Sequence, residues 1–266
     1  MVFYDKFDYP LYWKGRNYED KAEKTALEKF LVLIPLRDSL IDIGAGFGRH
    51  TKIYAPLFNK CLLVDPARNL LAQAKKNLAG FSNLIFRVGK AEKLPAESES
   101  FQIALMIRVV HHLEKPEEAF KEIFRVLEPG GFLILEFANK IHFLARIRNI
   151  IRGNFSFASA LSAQEQRSPE SIRDGKISFL NHHPRKIEKE LKKAGFVVIG
   201  RLSVSNLRSP LFKRIIPLSF LLFLENLLQK PLAKFYFGPS IFILAKKEIG
   251  RVCAPIKSGL DKTMSL

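Results

Sequence analysis

With 266 residues, 47% of them hydrophobic, the chain can bury one substantial core with an accessory region, and it is too apolar for intrinsic disorder. Its net charge of +17 is lopsided: residues 1–140 hold 21 Lys+Arg against 18 Asp+Glu, whereas residues 141–266 hold 22 against 8. The basic half implies either an anionic partner or a merely solubilising face. The two cysteines, Cys61 in a predicted strand and Cys253 near the end, exclude a disulfide framework and favour the cytoplasm.

Residues 1–13 mix charges with aromatics, unlike a signal peptide. Tyr12-Trp13-Lys14-Gly15-Arg16 is an aromatic-rich turn. Residues 19–34 read as an amphipathic helix with Ala22, Ala26, Leu27, Phe30, Leu31 and Ile34 on one face. Leu40-Ile41 then opens an apolar strand that runs into Asp42-Ile43-Gly44-Ala45-Gly46-Phe47-Gly48. Glycines allow positive φ and close approach of a ligand, and the helix behind them offers free N–H groups. The third glycine comes one residue too early for the dinucleotide fingerprint, and Arg49 stands where that pattern wants Gly. No Gly-Lys-Ser/Thr follows, so a phosphate loop is excluded as well. A ligand with a ribose but no diphosphate fits this turn better.

Residues 49–58 are expected to be helical. Cys61-Leu62-Leu63-Val64 is the second strand and ends in Asp65. An acid there either takes a pair of ribose hydroxyls or caps the helix that begins near Pro66. The next helix covers residues 67–79, with Leu70, Leu71, Ala74 and Leu78 inward and Gly80 as its stop. Residues 84–88 and 101–107 are the third and fourth strands. Pro116 opens a helix with Ala119, Phe120, Ile123, Phe124 and Leu127 on its core face, and Pro129-Gly130-Gly131 turns into a fifth strand over 132–137. Strands alternating with helices at this spacing predict a parallel, doubly wound sheet that binds ligands at the carboxyl ends of its strands.

In this order, residues 40–50, Val64-Asp65, residues 89–95, residues 101–113 and the run EEAFKEIFRVLEPGGFLILEF over 117–137 resemble the class I S-adenosylmethionine-dependent methyltransferases, most closely the group with the quinone-biosynthesis C-methyltransferases. The blocks span about two-fifths of the chain, over residues 38–137. The resemblance implies a Rossmann-like α/β fold. Its seven-stranded sheet would be mostly parallel with an antiparallel last strand, and helical insertions would cover the substrate side. It further implies S-adenosylmethionine as cofactor, held by Asp42, Gly44, Ala45, Gly46, Asp65, Ala91, Glu92 and Ile107. Arg16 would pair with the methionine carboxylate from a folded-over N-terminal segment, and Tyr12 or Trp13 would line the pocket or simply anchor that segment. Two residues depart from the family. Lys90 stands where an Asp or Asn often meets the adenine amine, and lysine cannot accept that hydrogen bond. Gln102 replaces an Asp on the fourth strand.

The second half is less regular. Residues 141–151 read as a basic amphipathic helix, with Arg146, Arg148 and Arg152 among Phe143, Leu144, Ile147, Ile150 and Ile151. A loop or lid to Asp174 is expected to follow. Pro184 opens a helix closed by Gly195, and strands start at Phe196 and Ser240. Between them, residues 215–224 are an apolar run about half as long as a membrane span, broken by Pro217 and flanked by Lys213, Arg214, Lys230 and Lys234. It suits an interfacial or lid helix on anionic headgroups, or a helix packed on the domain or a dimer interface. The organisation expected is an N-terminal cap segment and helix (1–37), a cofactor half (38–140), a substrate half (141–248) and a disordered tail (249–266). No metal-ligand spacing is present.

The function expected is methyl transfer to a small-molecule or lipid-like acceptor by in-line displacement. A base is needed only if the acceptor must lose a proton, and His111, in the His111-His112 pair after the fourth strand, ranks first for that role over His182-His183. Both pairs also have a loop-shaping reading. The partners expected are that acceptor and an anionic membrane surface on the cytoplasmic face. The alternatives are a tRNA or other nucleic-acid methyltransferase, against which no RNA-binding motif is found, and a non-catalytic S-adenosylmethionine-binding protein, suggested by Lys90.

Overall fold

The computed structural model describes residues 9–174 and 177–249. The expected tail lies outside the described residues from residue 250 on, as does Cys253. Seven strands build one sheet: β1 Ser39–Ile43, β2 Lys60–Asp65, β3 Leu84–Val88, β4 Phe101–Met106, β5 Leu127–Ala138, β6 Phe196–Val204 and β7 Ser240–Lys247. The main helices are α1 Asn17–Leu33, α2 Arg68–Asn77, α3 Pro116–Val126, α4 Phe143–Ile151, α5 Pro184–Lys193, α6 Pro210–Ile215 and α7 Leu218–Ala233.

The strand order is β3-β2-β1-β4-β5-β7-β6. The first five strands pair in parallel, and β7 runs antiparallel to both β5 and β6. All five residues of β1 are buried, as expected of a strand covered on both faces. Its side chains alternate between two apolar layers. Ile41 and Ile43 join Phe120, Ile123, Ile187 and Leu191 on the α3–α5 side, while Leu40 meets Leu27, Phe30, Leu71 and Ala74 on the α1–α2 side. The α1 face read from sequence is the buried one throughout.

Three expectations change. Residues 49–58 form only a turn of helix, Thr51–Tyr54, that tightens into a 3-10 turn at Ala55–Leu57, where Pro56 brings no backbone N–H. Gly80 does not stop α2, which ends at Asn77 where the C-cap Leu78 leaves the helical conformation at φ -118. Pro129-Gly130-Gly131 does not precede β5 but lies inside it. The pairing with β4 jumps from Phe101↔Leu127 to Ile103↔Phe132, so these residues bulge out of a continuous strand, with Gly130 at φ +77.

Among the described residues, no helix is long and apolar enough to cross a membrane. No cluster of His, Cys, Asp or Glu among them could hold a metal ion.

Candidate active site

The glycine turn leaves β1 at the carboxyl edge of the sheet. The Gly44 and Ala45 N–H groups donate to the Val64 carbonyl of β2 at 2.7 and 3.1 Å, which folds the turn toward the second strand. Gly44 has φ +75, and a Cβ on it would stand 2.2 Å from Val109 Cγ2. Gly46 has φ +55 with nothing within 4 Å of where a Cβ would be, so it faces open space. Asp65, at the end of β2, accepts the Gly46 N–H on Oδ2 and the Ala67 N–H on Oδ1, both at 2.8 Å. Its carboxylate thus spans the turn and the approach to α2.

These elements wall a cavity of about 460 Å³. Of the residues named from sequence, Gly44, Ala45, Gly46, Asp65, Ala91, Glu92 and Ile107 line it, as does Lys90. Pro66, Leu70, Val109, Leu113 and Ile177 add an apolar lining. A shallower polar depression with Glu114, Lys115, Glu118 and Arg167 adjoins it, sharing Glu92, His112 and Ile177.

Three residues read as site residues fall outside the lining. Asp42 lies within β1 and accepts the Tyr54 hydroxyl at 2.6 Å. Burial pushes its carboxyl up to about 6 despite that bond, with the nearby Asp65 charge adding to the rise. Arg16 sits exposed just ahead of α1 with its guanidinium 4.0 Å over the Tyr12 ring. His111 is buried, its ring 3.9 Å from that of His112 and 4.7 Å from that of Phe179.

Arg49 and His50 line the cavity without having been read as site residues, and Arg108, read either as a recogniser of an acidic acceptor or as a solvent-facing cation, lines it as well. Arg49 was visible only as a departure from the dinucleotide pattern. It lies 3.6 Å over the ring of buried Trp13, donates to Asp20 at 2.7 Å and pairs with buried Glu23. Arg108 stands 5.2 Å from the same indole and 3.6 Å from Glu23. Trp13 therefore anchors the N-terminal segment to this wall rather than lining the cavity. His50 is buried against the cavity with neither ring nitrogen hydrogen-bonded, since Glu23 stands 3.9 Å away. Burial and the neighbouring Arg49 charge hold its pKa well below the ordinary histidine value. A neutral imidazole offers one donor and one acceptor, and an unmet pair facing a cavity fits a polar ligand.

The other histidines fasten a strap over this edge. His112 Nδ1 donates to the Ser178 carbonyl at 2.8 Å, and His182 Nε2 donates to the Val110 carbonyl at 3.1 Å. Together with Phe179 on His111 they hold the segment that brings Ile177 to the cavity. The strap carries a two-residue ladder, Gln164–Glu165 with Leu180–Asn181. His183 instead caps α5, its Nδ1 accepting the Arg185 N–H at 3.1 Å. Burial lowers the His112 pKa to about 4, so this imidazole is a weak base at neutral pH.

Residues 41–135 match the methyltransferase domain family. That span, just over a third of the chain, is a methyltransferase domain. The cofactor of that domain is S-adenosylmethionine, and the open Gly46 face and the unmet His50 nitrogens suit its polar groups. A malonyl-[acyl-carrier protein] O-methyltransferase of Marinomonas sp. is 29% identical over 126 residues, which are 45% of this chain and 47% of that protein. A ubiquinone/menaquinone biosynthesis C-methyltransferase of Rubrivivax gelatinosus is 29% identical over 133 residues, half of this chain and 51% of that protein. The chain thus spans about half the length of these two relatives. In fold, it resembles an S-adenosylmethionine-dependent methyltransferase from Thermotoga maritima (a possible histamine N-methyltransferase), with TM-score 0.59 and 23% identity over 92% of this chain and 98% of that one. That methyltransferase architecture includes the antiparallel last strand seen here as β7.

Proposed function

We propose that the protein transfers a methyl group from S-adenosylmethionine to a small, lipid-like acceptor by in-line displacement. The observation that carries this reading is the convergence of the Gly44–Gly46 turn, Asp65 and the unmet His50 imidazole on one cavity, beside apolar Leu70, Val109, Leu113 and Ile177. When bound, the cofactor supplies a methyl group on a sulfonium, already activated for displacement. In this proposal Asp65 accepts the ribose hydroxyls, and the Gly44-Ala45-Gly46 backbone admits the methionine part. Ala91 and Glu92 flank the adenine. Arg49 and His50 supply donors for the carboxylate, the part first expected to fall to Arg16. Ile107, Val109, Leu113 and Ile177 exclude water from the reacting end.

No histidine at the cavity is poised as a general base. His111 does not line it, His112 is held neutral with a pKa near 4, and burial holds His50 well below the ordinary histidine value. The acceptor that fits is one whose nucleophile needs no strong base, such as a carboxylate, an amine lone pair or an acidic enol. The two named relatives, one acting on a malonyl-acyl carrier and one in quinone biosynthesis, support a small or lipid-like acceptor over a nucleic acid. The basic, apolar second half supports its delivery from an anionic membrane on the cytoplasmic face.

Calorimetry with S-adenosylmethionine, followed by transfer of labelled methyl to carboxylate, amine and enol acceptors, tests the proposal. Binding weakened by Asp65→Ala and label in an extracted lipid-like product are expected. No binding heat from the wild type, or label found only in added RNA, overturns it.

A further inference from the structure

Helix α7 is amphipathic the wrong way round. Its buried residues are Leu221, Glu225, Gln229 and Ala233, one stripe four residues apart that packs on α1 and β6. Two of these four are polar, and both are satisfied. Glu225 accepts the Tyr18 hydroxyl at 2.6 Å and the Ser205 and Asn206 N–H groups at 2.8 and 3.0 Å. Gln229 donates to the Ala22 carbonyl at 2.9 Å and accepts from the Lys29 ammonium at 3.0 Å. The opposite face carries Phe220, Phe223 and Leu227, which are 51%, 56% and 56% exposed. A helix that spends polar groups on its attachment and turns phenylalanines outward is built to meet an apolar medium.

Its neighbours repeat the pattern. In α6, Leu211, Phe212 and Ile215 are exposed, as are Leu144, Ile147, Ile150 and Ile151 in α4. Arg146 of α4 donates to the Ile141 carbonyl and to the Phe235 carbonyl just past α7, and Phe143 stacks on Phe237 at 4.7 Å, so the segment that leaves α7 lies against α4. Residues 141–158 and 205–238 hold eight Lys and Arg and a single acid, the buried Glu225.

We infer that α4, α6 and α7 form a docking surface for an anionic lipid bilayer, lying in the headgroup plane with the phenylalanines inserted. Charge complementarity selects this occupant. An isologous contact with a second copy would set Arg214, Lys230 and Lys234 against their own kind, and lysines are depleted from protein interfaces. Phosphate groups alone give no reason for so many exposed Phe, Leu and Ile side chains. At 16 residues α7 is too short to span a bilayer but suits its surface. The surface deepens the proposed function, resting on its lipid-like acceptor, because it brings the enzyme to where such a molecule lies.

The test is sedimentation of the full chain with vesicles of phosphatidylcholine alone or mixed with an equal part of phosphatidylglycerol. Binding about 10-fold tighter or more to the phosphatidylglycerol vesicles, weakened by salt, is expected. The variant F220S/F223S/L227S should lose about 100-fold in vesicle affinity while its cofactor-binding heat stays that of the wild type, because none of the three lines the cavity. Arg214→Glu with Lys230→Glu should abolish the lipid preference. Wild type that sediments with neither vesicle, or a triple variant that binds as well as wild type, overturns the inference. So does a dimer that the triple variant dissolves. Vesicle binding without methyl transfer to any acceptor would instead count against the proposed function alone.

Discussion

Asp65 Oδ2 and the Gly46 N–H, nineteen residues apart, meet at 2.8 Å, so the acid at the end of β2 fixes the shape of the turn at the end of β1. The same carboxylate holds the Ala67 N–H. Asp65 thus closes a turn just ahead of α2, whose own N-cap is Ala67, rather than capping the helix. Asp65→Ala leaves two buried N–H groups without that partner and should cost about 2–4 kcal/mol in denaturant unfolding. Asp65→Asn keeps one acceptor but turns its amide donor against the other N–H, so it should cost at least half of that and weaken S-adenosylmethionine about 10-fold or more. Equal cofactor affinity for Asn and Asp would leave Asp65 with its structural part only.

Gly44→Ala should damage the cradle from inside. A left-handed φ costs an L-residue about 1–2 kcal/mol, and the new methyl would press on Val109 at 2.2 Å. Cofactor affinity should fall about 10-fold, and Val109→Ala added to it should restore part of the loss. Gly46→Ala meets no protein atom but shares the left-handed φ, at +55, so it should cost about 1–2 kcal/mol in unfolding and, facing open space at the turn, weaken ligand binding as well.

The pH dependence follows from His112. Burial lowers its pKa to about 4 in the folded chain, whereas an unfolded histidine titrates near about 6.5. Between these values the unfolded chain binds a proton that the folded chain refuses, so stability rises with pH across this window. It should be complete above pH about 6.5 and fall progressively toward pH about 4. His111 and His50 are lowered as well and act in the same direction, whereas Asp42, raised to about 6, opposes them below pH about 6, so the contribution of His112 is the part of the slope that its substitution removes. Urea denaturation across this range checks the slope, and His112→Asn should flatten it. An imidazole NMR titration of His112 at or above the ordinary value would refute this account.

Trp13 is the single tryptophan of the chain, and it lies beneath Arg49 on the cavity wall. Cofactor binding should shift or quench its emission. Arg49→Leu removes the stacked guanidinium and leaves Glu23 buried with weaker compensation, so it should both raise the dissociation constant and abolish most of the fluorescence change. A fluorescence response unaltered in that variant would separate Trp13 from the binding event.

Much of the cofactor half was legible because its signals are local. The alternation of strands and helices, the glycine spacing and Asp65 are all read within a few residues of chain, and their burial follows from periodicity. What was not legible depends on distant partners. Asp42 looks like a site residue until Tyr54 takes its carboxylate, and Arg16 looks like a ligand cation until the turn sets it over Tyr12. His111 looks like a base until Phe179 closes on it. Glu225 binds Tyr18 across 207 residues, and no pattern within residues 215–224 could show that α7 would attach by its polar side.

The strand order bears on how the chain is made. β6 has one neighbour in the sheet, β7, and β7 is what joins it to β5. When β6 leaves the ribosome it has no edge to pair with, although β1 to β5 already supply a template for one more strand. Only when Ser240–Lys247 follows can the gap be filled, from the far side and in the opposite direction. The nucleotide-handling half can thus mature during synthesis, while the half that carries α6 and α7 waits for the last strand to lock it in place.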